Sequence, residues 1–391
     1  MQNAVKAKKR KSRIKNICAY TGAGLVTICV ACGLLYYLFV FSGIPLFSFW
    51  RDIWIETAMT TMNHQWLATS FIPQDIIDEV MSRQNRNPDI VGGLYPAAVT
   101  APETAVPDVP GPAADDTVPE TQACTDDAGT GKTDILGQSD IVEGEPDYAG
   151  YKVLVNDVEQ GIVISEIVGQ GYRGRIMLVD DPSRVYVATT PYKNVEGMRI
   201  LSMLDHYGAV AGINASGFPD PEGEGNGGKV VGQTFANGEY WGSYVNWTGS
   251  ILLTQDNRLI VGNVRDWDAY NVRGGIQFGP VLIADGEIQV EGSAGWGIQP
   301  RTAIGQRADG AVALVVIDGR DLTYSVGCTV GELAKILHKY GVVNAACCDG
   351  GASSIMAYKG EVITRNSSAN PTLGRRLPNA FLVAPKKPAD S

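Results

Sequence analysis

The chain has 391 residues, a formal net charge of −10 and a hydrophobic share of 45%. That length exceeds one typical domain but suits one large domain with attachments. The acidic balance argues against nucleic acid as a partner, because a phosphate backbone calls for a basic surface.

The N-terminus runs against that balance. Residues 6–15 carry Lys6, Lys8, Lys9, Arg10, Lys11, Arg13 and Lys15 without an acid, and Ile17 to Phe41 holds no charge at all. At about 1.5 Å per residue such a helix spans the ~30 Å core of a bilayer. The basic flank of residues 1–16 is expected in the cytoplasm, which sends the C-terminal mass outside. Tyr36-Tyr37-Leu38-Phe39 offers no small-x-small cleavage site, so an uncleaved, single-pass signal anchor over 17–41 in the cell membrane is expected, with the lipid bilayer as its partner.

Residues 42–87 read as a juxtamembrane helical segment, through Ile53, Thr57, Thr60, Met62 and Trp66, broken at Pro73 and resumed by a short helix through Ile76, Ile77 and Val80. Trp50, Trp54 and Trp66 suit an aromatic belt at the headgroups or a membrane partner protein docking on residues 50–80, and the sequence leaves both open. Residues 88–147 are rich in Pro, Ala, Asp, Glu and Thr, and Lys132 is their sole base. Such a stretch cannot bury enough apolar surface to offset its ordering entropy, so a disordered acidic linker is expected.

From Tyr148 to Pro385 the chain is globular, and 386–391 reads as a tail. Strand-like runs occur at 161–168, 175–179, 184–189, 209–213, 249–254, 259–261, 281–283, 302–306, 311–317, 342–348, 354–358, 361–363 and 380–383. Two helices, over 195–207 and 329–340, run into the strands at 209 and 342. Thr329 and Glu332 form a capping box for the second. Many strands with few helices predict an α+β domain with a mixed β-sheet core and helices packed on it.

The chemistry concentrates where apolar strands meet polar clusters. These are Gly212-Ile213-Asn214-Ala215-Ser216-Gly217-Phe218, Gln299-Pro300-Arg301-Thr302, Ile317-Asp318-Gly319-Arg320, Cys348-Asp349-Gly350-Gly351-Ala352-Ser353-Ser354 and, more weakly, Gly374-Arg375-Arg376-Leu377-Pro378-Asn379. Each alone could be a turn, as an Asp-Gly pair between two strands usually is. Together they offer carboxylates, guanidinium groups and a glycine-rich backbone nest, a set suited to an anionic substrate. His64, His206 and His338 do not stand at these strand ends, so a histidine metal site or a Ser-His-Asp triad has no support. The seven cysteines form no disulfide framework, and Cys328, Cys347 and Cys348 read as small apolar residues. No zinc or nucleotide cofactor is expected, and the carboxylates leave room for an oxygen-ligated divalent ion.

As an ordered set these motifs resemble the phosphodiester glycosidase family, over about residues 150–385. The matching stretches are Ile213–Phe218, Arg301–Gly305, Ile317–Arg320, Asn344–Ser354 and Arg375–Val383. Departures from the family pattern are Ala215 and Ser216 in place of glycine, Ala352 at a third glycine and Cys347-Cys348 in place of an aliphatic pair. The resemblance implies a hydrolase of sugar-1-phosphodiesters. Asp318 and Asp349 are then the expected carboxylate pair, and Arg301 and Arg320 the phosphate-binding forks. Asn214, Gly217, Gly350, Gly351, Ser353, Ser354 and Asn379 would line and orient the substrate. A cell-envelope glycan or exopolysaccharide containing phosphodiesters fits the topology. A non-catalytic binding or assembly protein for anionic envelope polysaccharide is the competing reading.

Overall fold

The computed structural model describes residues 2–61, 64–84, 89–94 and 134–387, and the chain forms two compact units. The first comprises residues 1–84 with 295–297. It holds α1 (Gln2–Phe41), α2 (Pro45–Met59), α3 (Trp66–Thr69) and α4 (Gln74–Ser82). Within α1, Ala19–Phe41 is long and apolar enough to cross a membrane, with a mean hydropathy of 2.3. Pro73 does break the segment, standing immediately before α4, where its missing N–H costs nothing. Val40, Ile55, Ala58, Ala68, Ile72, Ile77 and Val80 form the small core of this unit.

The second unit contains three sheets among the described residues. Its elements begin with β1 (Val91–Gly92), β2 (Lys152–Asp157), β3 (Ile162–Val168), β4 (Arg173–Val179), β5 (Val185–Thr189), α5 (Ile200–Tyr207) and β6 (Ala211–Asn214). Then come β7 (Gln233–Ala236), β8 (Glu239–Gly242), β9 (Ser250–Thr254), β10 (Leu259–Gly262), β11 (Val272–Gln277), β12 (Val281–Ala284) and β13 (Glu287–Ile288). The chain closes through β14 (Arg301–Arg307), β15 (Val312–Ile317), α6 (Val330–Lys339), β16 (Val342–Cys348), β17 (Met356–Tyr358), β18 (Glu361–Val362) and β19 (Asn379–Val383). The sheets run β13-β12-β16-β14-β15-β4-β3-β2, β18-β17-β6-β19-β5 and β1-β10-β9-β11-β7-β8.

The α+β class is as expected, but the described ladders are antiparallel rather than mixed. The two helix connections are consistent with that. α5 links β5 to β6, which both pair with β19, and α6 links β15 to β16, which both pair with β14. Each helix therefore joins two co-directional strands with an antiparallel strand between them. One core is shared by the three sheets, through Ile162 and Met177, Ile213 and Phe381, and Ile251 and Ile276. α5 covers the outer face of the five-stranded sheet with Ile200, Met203 and Leu204. Thr329 and Glu332 form the expected capping box of α6.

Two stretches assigned by composition to the linker are part of the domain instead. Val91 pairs with Gly262. Leu136 and Gln138 are buried, and the Asp147 carboxylate accepts from the Tyr340 and Ser165 hydroxyls at 2.7 Å each. A few anchoring side chains suffice there, and bulk composition does not register them. The rest of the linker reading, residues 95–133, lies outside the described residues, as do Cys124 and residues 388–391 of the tail.

Candidate active site

The topology explains why the polar clusters gather. Because β15 and β16 run in one direction on either side of β14, the ends of the first two and the start of the third share one rim. Arg301 pairs with Ile317, and Thr302 with Cys348, so Arg301, Asp318 and Asp349 emerge together. In the five-stranded sheet the end of β6 and the start of β19 coincide, with Asn214 opposite Ala380.

Two asparagines fasten these rims. Asn214 Nδ2 donates to the Asp349 carbonyl at 2.7 Å. Its Oδ1 accepts from Thr302 Oγ1 at 2.8 Å and from the Ile355 N–H at 3.1 Å. Asn379 Nδ2 donates to Ser216 Oγ and Thr234 Oγ1, each at 2.9 Å, while its Oδ1 accepts from the Ser216 N–H at 2.7 Å. Both asparagines are fully buried, so their polar groups serve the protein frame.

Asp349 is the carboxylate this frame presents. Its backbone N–H donates to the Ala215 carbonyl at 2.8 Å, yet the residue keeps part of its surface open. Burial raises its pKa to about 6, against the Ser353 hydroxyl bond and the charge of Arg375, while Asp220 adds to the rise. Gly217 leaves the approach to it clear: a Cβ there would stand 3.7 Å from Asp349 Oδ1 and 3.0 Å from the Phe278 ring. Gly350 allows the turn to close on the Pro300 carbonyl, which a Cβ would meet at 2.8 Å. Gly351, at φ +61°, lies under the Arg320 guanidinium, whose Nη2 would be 2.9 Å from a Cβ.

Guanidinium groups act on this part of the site. Burial lowers the pKa of Arg320, the charge of Asp349 opposes that, and Arg375 and Arg301 lower it further. Arg320 thus lies close enough to feel Asp349 and both other cations. Arg320 holds a φ of +63°, unusual for a residue with a side chain, and donates through Nη2 to Gln299 Oε1 at 3.1 Å. Arg301 is buried and donates through Nε to the Cys328 carbonyl at 3.2 Å. Arg375 forms a bidentate pair with Asp220, both bonds 2.6 Å, and lies over the Phe218 ring. Burial raises the Asp220 pKa, but the Arg375 and Gly225 bonds hold it below its ordinary value. Asp220 and Phe278 were missed in the sequence, and Arg375 was noted within the weakest cluster and the last stretch of the resemblance but given no role. Asp220 stands three residues beyond Gly217, and nothing local distinguishes it from a turn aspartate.

Asp318 sits differently. It is 3% exposed, its Oδ1 accepts from the Arg365 N–H at 2.9 Å, and its Oδ2 accepts from the Tyr324 hydroxyl at 3.2 Å. Burial also raises its pKa to about 6, against the Arg365 N–H, the Tyr324 hydroxyl and the charge of Arg175. Next to Arg365, Asn366 Nδ2 donates to the carbonyls of Ala352 at 3.0 Å and Ser354 at 2.8 Å. Asp318 thereby braces the segment that ties down the Asp349 turn. Ser353 and Ser354 are buried, and Ser354 Oγ has no hydrogen-bond partner.

Two departures from the family pattern adjoin Asp349, since the Ala215 carbonyl accepts from its N–H and Cys348 precedes it. Ala215 and Ser216 are buried, and Ser216 is bonded to Asn379. Cys328, Cys347 and Cys348 are free and buried, and burial pushes their thiols up. Among the described residues no group of three or more His, Cys, Asp or Glu is placed to hold a metal ion.

Comparison with known proteins agrees with the motifs. Residues 207–384 match the phosphodiester glycosidase family, which is a family of hydrolases. The SPbeta prophage-derived uncharacterized protein YomE of Bacillus subtilis (strain 168) is 30% identical over 200 residues, 48% of this chain. The chain spans only 29% of the length of that relative. Among solved structures, the zebrafish N-acetylglucosamine-1-phosphodiester alpha-N-acetylglucosaminidase catalytic domain, auto-inhibited by its pro-peptide, is 19% identical with a TM-score of 0.48. That alignment covers 57% of this chain and 82% of the zebrafish one. A hypothetical protein from Synechocystis is 17% identical with a TM-score of 0.41, over 60% of this chain and 64% of its own.

Proposed function

We propose that the second unit hydrolyses glycosyl phosphodiesters at the sugar side, and that its substrate is a phosphodiester-containing glycan of the cell envelope or an exopolysaccharide. One observation carries this reading. Part-exposed Asp349, with a pKa raised to about 6, feels the charge of Arg375, while Arg320 feels the charges of Asp349, Arg375 and Arg301. A guanidinium fork matches phosphate oxygens, and a nearby carboxylate suits the anomeric carbon of the attached sugar.

In this proposal Arg320 and Arg301 take the phosphate, with Arg375 adding charge while Asp220 holds it in place. Ionised Asp349 serves as base or nucleophile at the anomeric carbon. The bond from that carbon to the bridging oxygen breaks, the phosphomonoester leaves with the bonding electrons, and water supplies the new hydroxyl. A phosphate leaves readily, so one carboxylate meets the chemical need. Asp318, Asn214 and Asn379 act as positioning residues, and Gly217, Gly350 and Gly351 shape the floor. Ser353 orients Asp349, and Ser354 supports the same turn from a buried position. The anchor reading of α1 would hold this activity at the outer membrane surface, with the N-terminus cytoplasmic.

The test is turnover of a sugar-1-phosphodiester by the detergent-solubilised full chain, beside Asp349→Asn. Release of free sugar by the wild type, lost in the variant, is the expected result. Saturable binding without turnover would replace the enzyme by an anionic-glycan binder.

A further inference from the structure

We propose that the first unit seats on a lipid bilayer through one aromatic face, with the boundary between headgroups and acyl chains as its occupant. On α2, Leu46, Phe49, Trp50 and Trp54 recur at helical spacing and are 64%, 57%, 53% and 46% exposed. The opposite side of the same helix buries Ile55 and Ala58 in the core of the unit. A helix apolar on both sides requires an apolar neighbour on each. Its charges do not interrupt the exposed face. Arg51 Nη1 donates to the Val40 carbonyl at 3.0 Å and pairs with Asp52, while Glu56 is buried.

Two hydrogen bonds set the depth of this face against α1. The Arg51 bond engages a carbonyl at the C-terminal end of α1, where no intrahelical donor remains. Tyr36 Oη donates to the Phe71 carbonyl at 2.7 Å. Tyr36 lies five residues before the end of the apolar stretch Ala19–Phe41, about 7–8 Å down the helix axis. Phe71 therefore stands beside the last turns of that stretch, and it and Trp66 are 56% and 55% exposed. If those turns cross the outer part of a bilayer, these rings meet lipid at the depth where Trp is favoured. A docking membrane helix is the poorer fit, since close helix pairs call for small residues and this face carries bulky rings.

The full chain, reconstituted alone in phosphatidylcholine vesicles, tests this by tryptophan fluorescence. The probes are lipids brominated near the headgroup or near the chain end. We expect the shallow bromines to quench more than the deep ones, and Trp50→Ala with Trp66→Ala to remove most of the shallow-quenched emission. Circular dichroism checks that the variant is folded, and the wild-type comparison of the two depths stands without it. Equal quenching at both depths, quenching by aqueous iodide instead, or shallow quenching unchanged in the variant would overturn the proposal. A protein partner as the true occupant would appear as missing shallow quenching in these partner-free vesicles.

Discussion

Asp349 and Asp318 both titrate near pH 6, yet they predict different variants. If ionised Asp349 does the chemistry, kcat/KM should rise with pH through about 6 and level off above it, and Asp349→Asn should lose at least about a hundredfold in kcat. The same shift has a stability consequence. A carboxyl whose folded pKa lies above its unfolded value of 3.8 destabilises the fold when ionised, fully above about pH 6 and not below about pH 4. Asp349→Asn should thus raise the melting temperature at pH 7.5 and lose that gain at pH 4, an effect of at most about 3 kcal/mol. Asp318 is a brace, so Asp318→Asn, which keeps an acceptor for the Arg365 N–H, should retain activity within about tenfold. Asp318→Ala should raise KM and lower the melting temperature. An inactive but stable Asp318→Asn would instead make Asp318 a reacting group. Gly217→Ala, which puts a methyl near the Asp349 carboxylate, should raise KM in steady-state assays while leaving the fold intact.

The elements that present these residues were partly legible. The 342–348 strand was read with its observed bounds, and α6 was read from its capping box. Thr329→Ala should cost about 1 kcal/mol in denaturant unfolding, since it frees the Glu332 N–H. β11 was missed because Gly274 and Gly275 interrupt its apolar pattern. Gly275 is nevertheless needed, as a Cβ would come 2.7 Å from Leu252 Cδ2. β8 was missed for the opposite reason, since it is an edge strand that is mostly exposed and has no periodic apolar face to recognise. The mixed sheet was expected from the balance of strands and helices, and that balance carries no strand direction.

For the whole molecule, the packing of residues 134–147 on the second unit has a measurable consequence. A chain beginning at 148 loses Leu136, the Gln138–Asn156 bond and the Asp147 bonds to Tyr340 and Ser165. It should therefore melt below one beginning at 134, and equal melting temperatures in calorimetry would return those residues to the linker. The sequence by itself determined the apolar N-terminal segment, the α+β class and the set of strand-end motifs, because hydrophobic period and turn chemistry are local properties. It also carried the resemblance to the phosphodiester glycosidase family, since the motifs recur in order along one chain. The tertiary structure alone decided which polar side chain faces outward. Asn214, Asn379 and Asp318 are as polar as Asp349, but the asparagines spend their hydrogen bonds on fastening the strand ends and Asp318 on bracing the 365–366 segment. Asp220 entered the site only because folding sets its carboxylate against Arg375. Burial and partnership are relations between distant segments, and no local pattern encodes them.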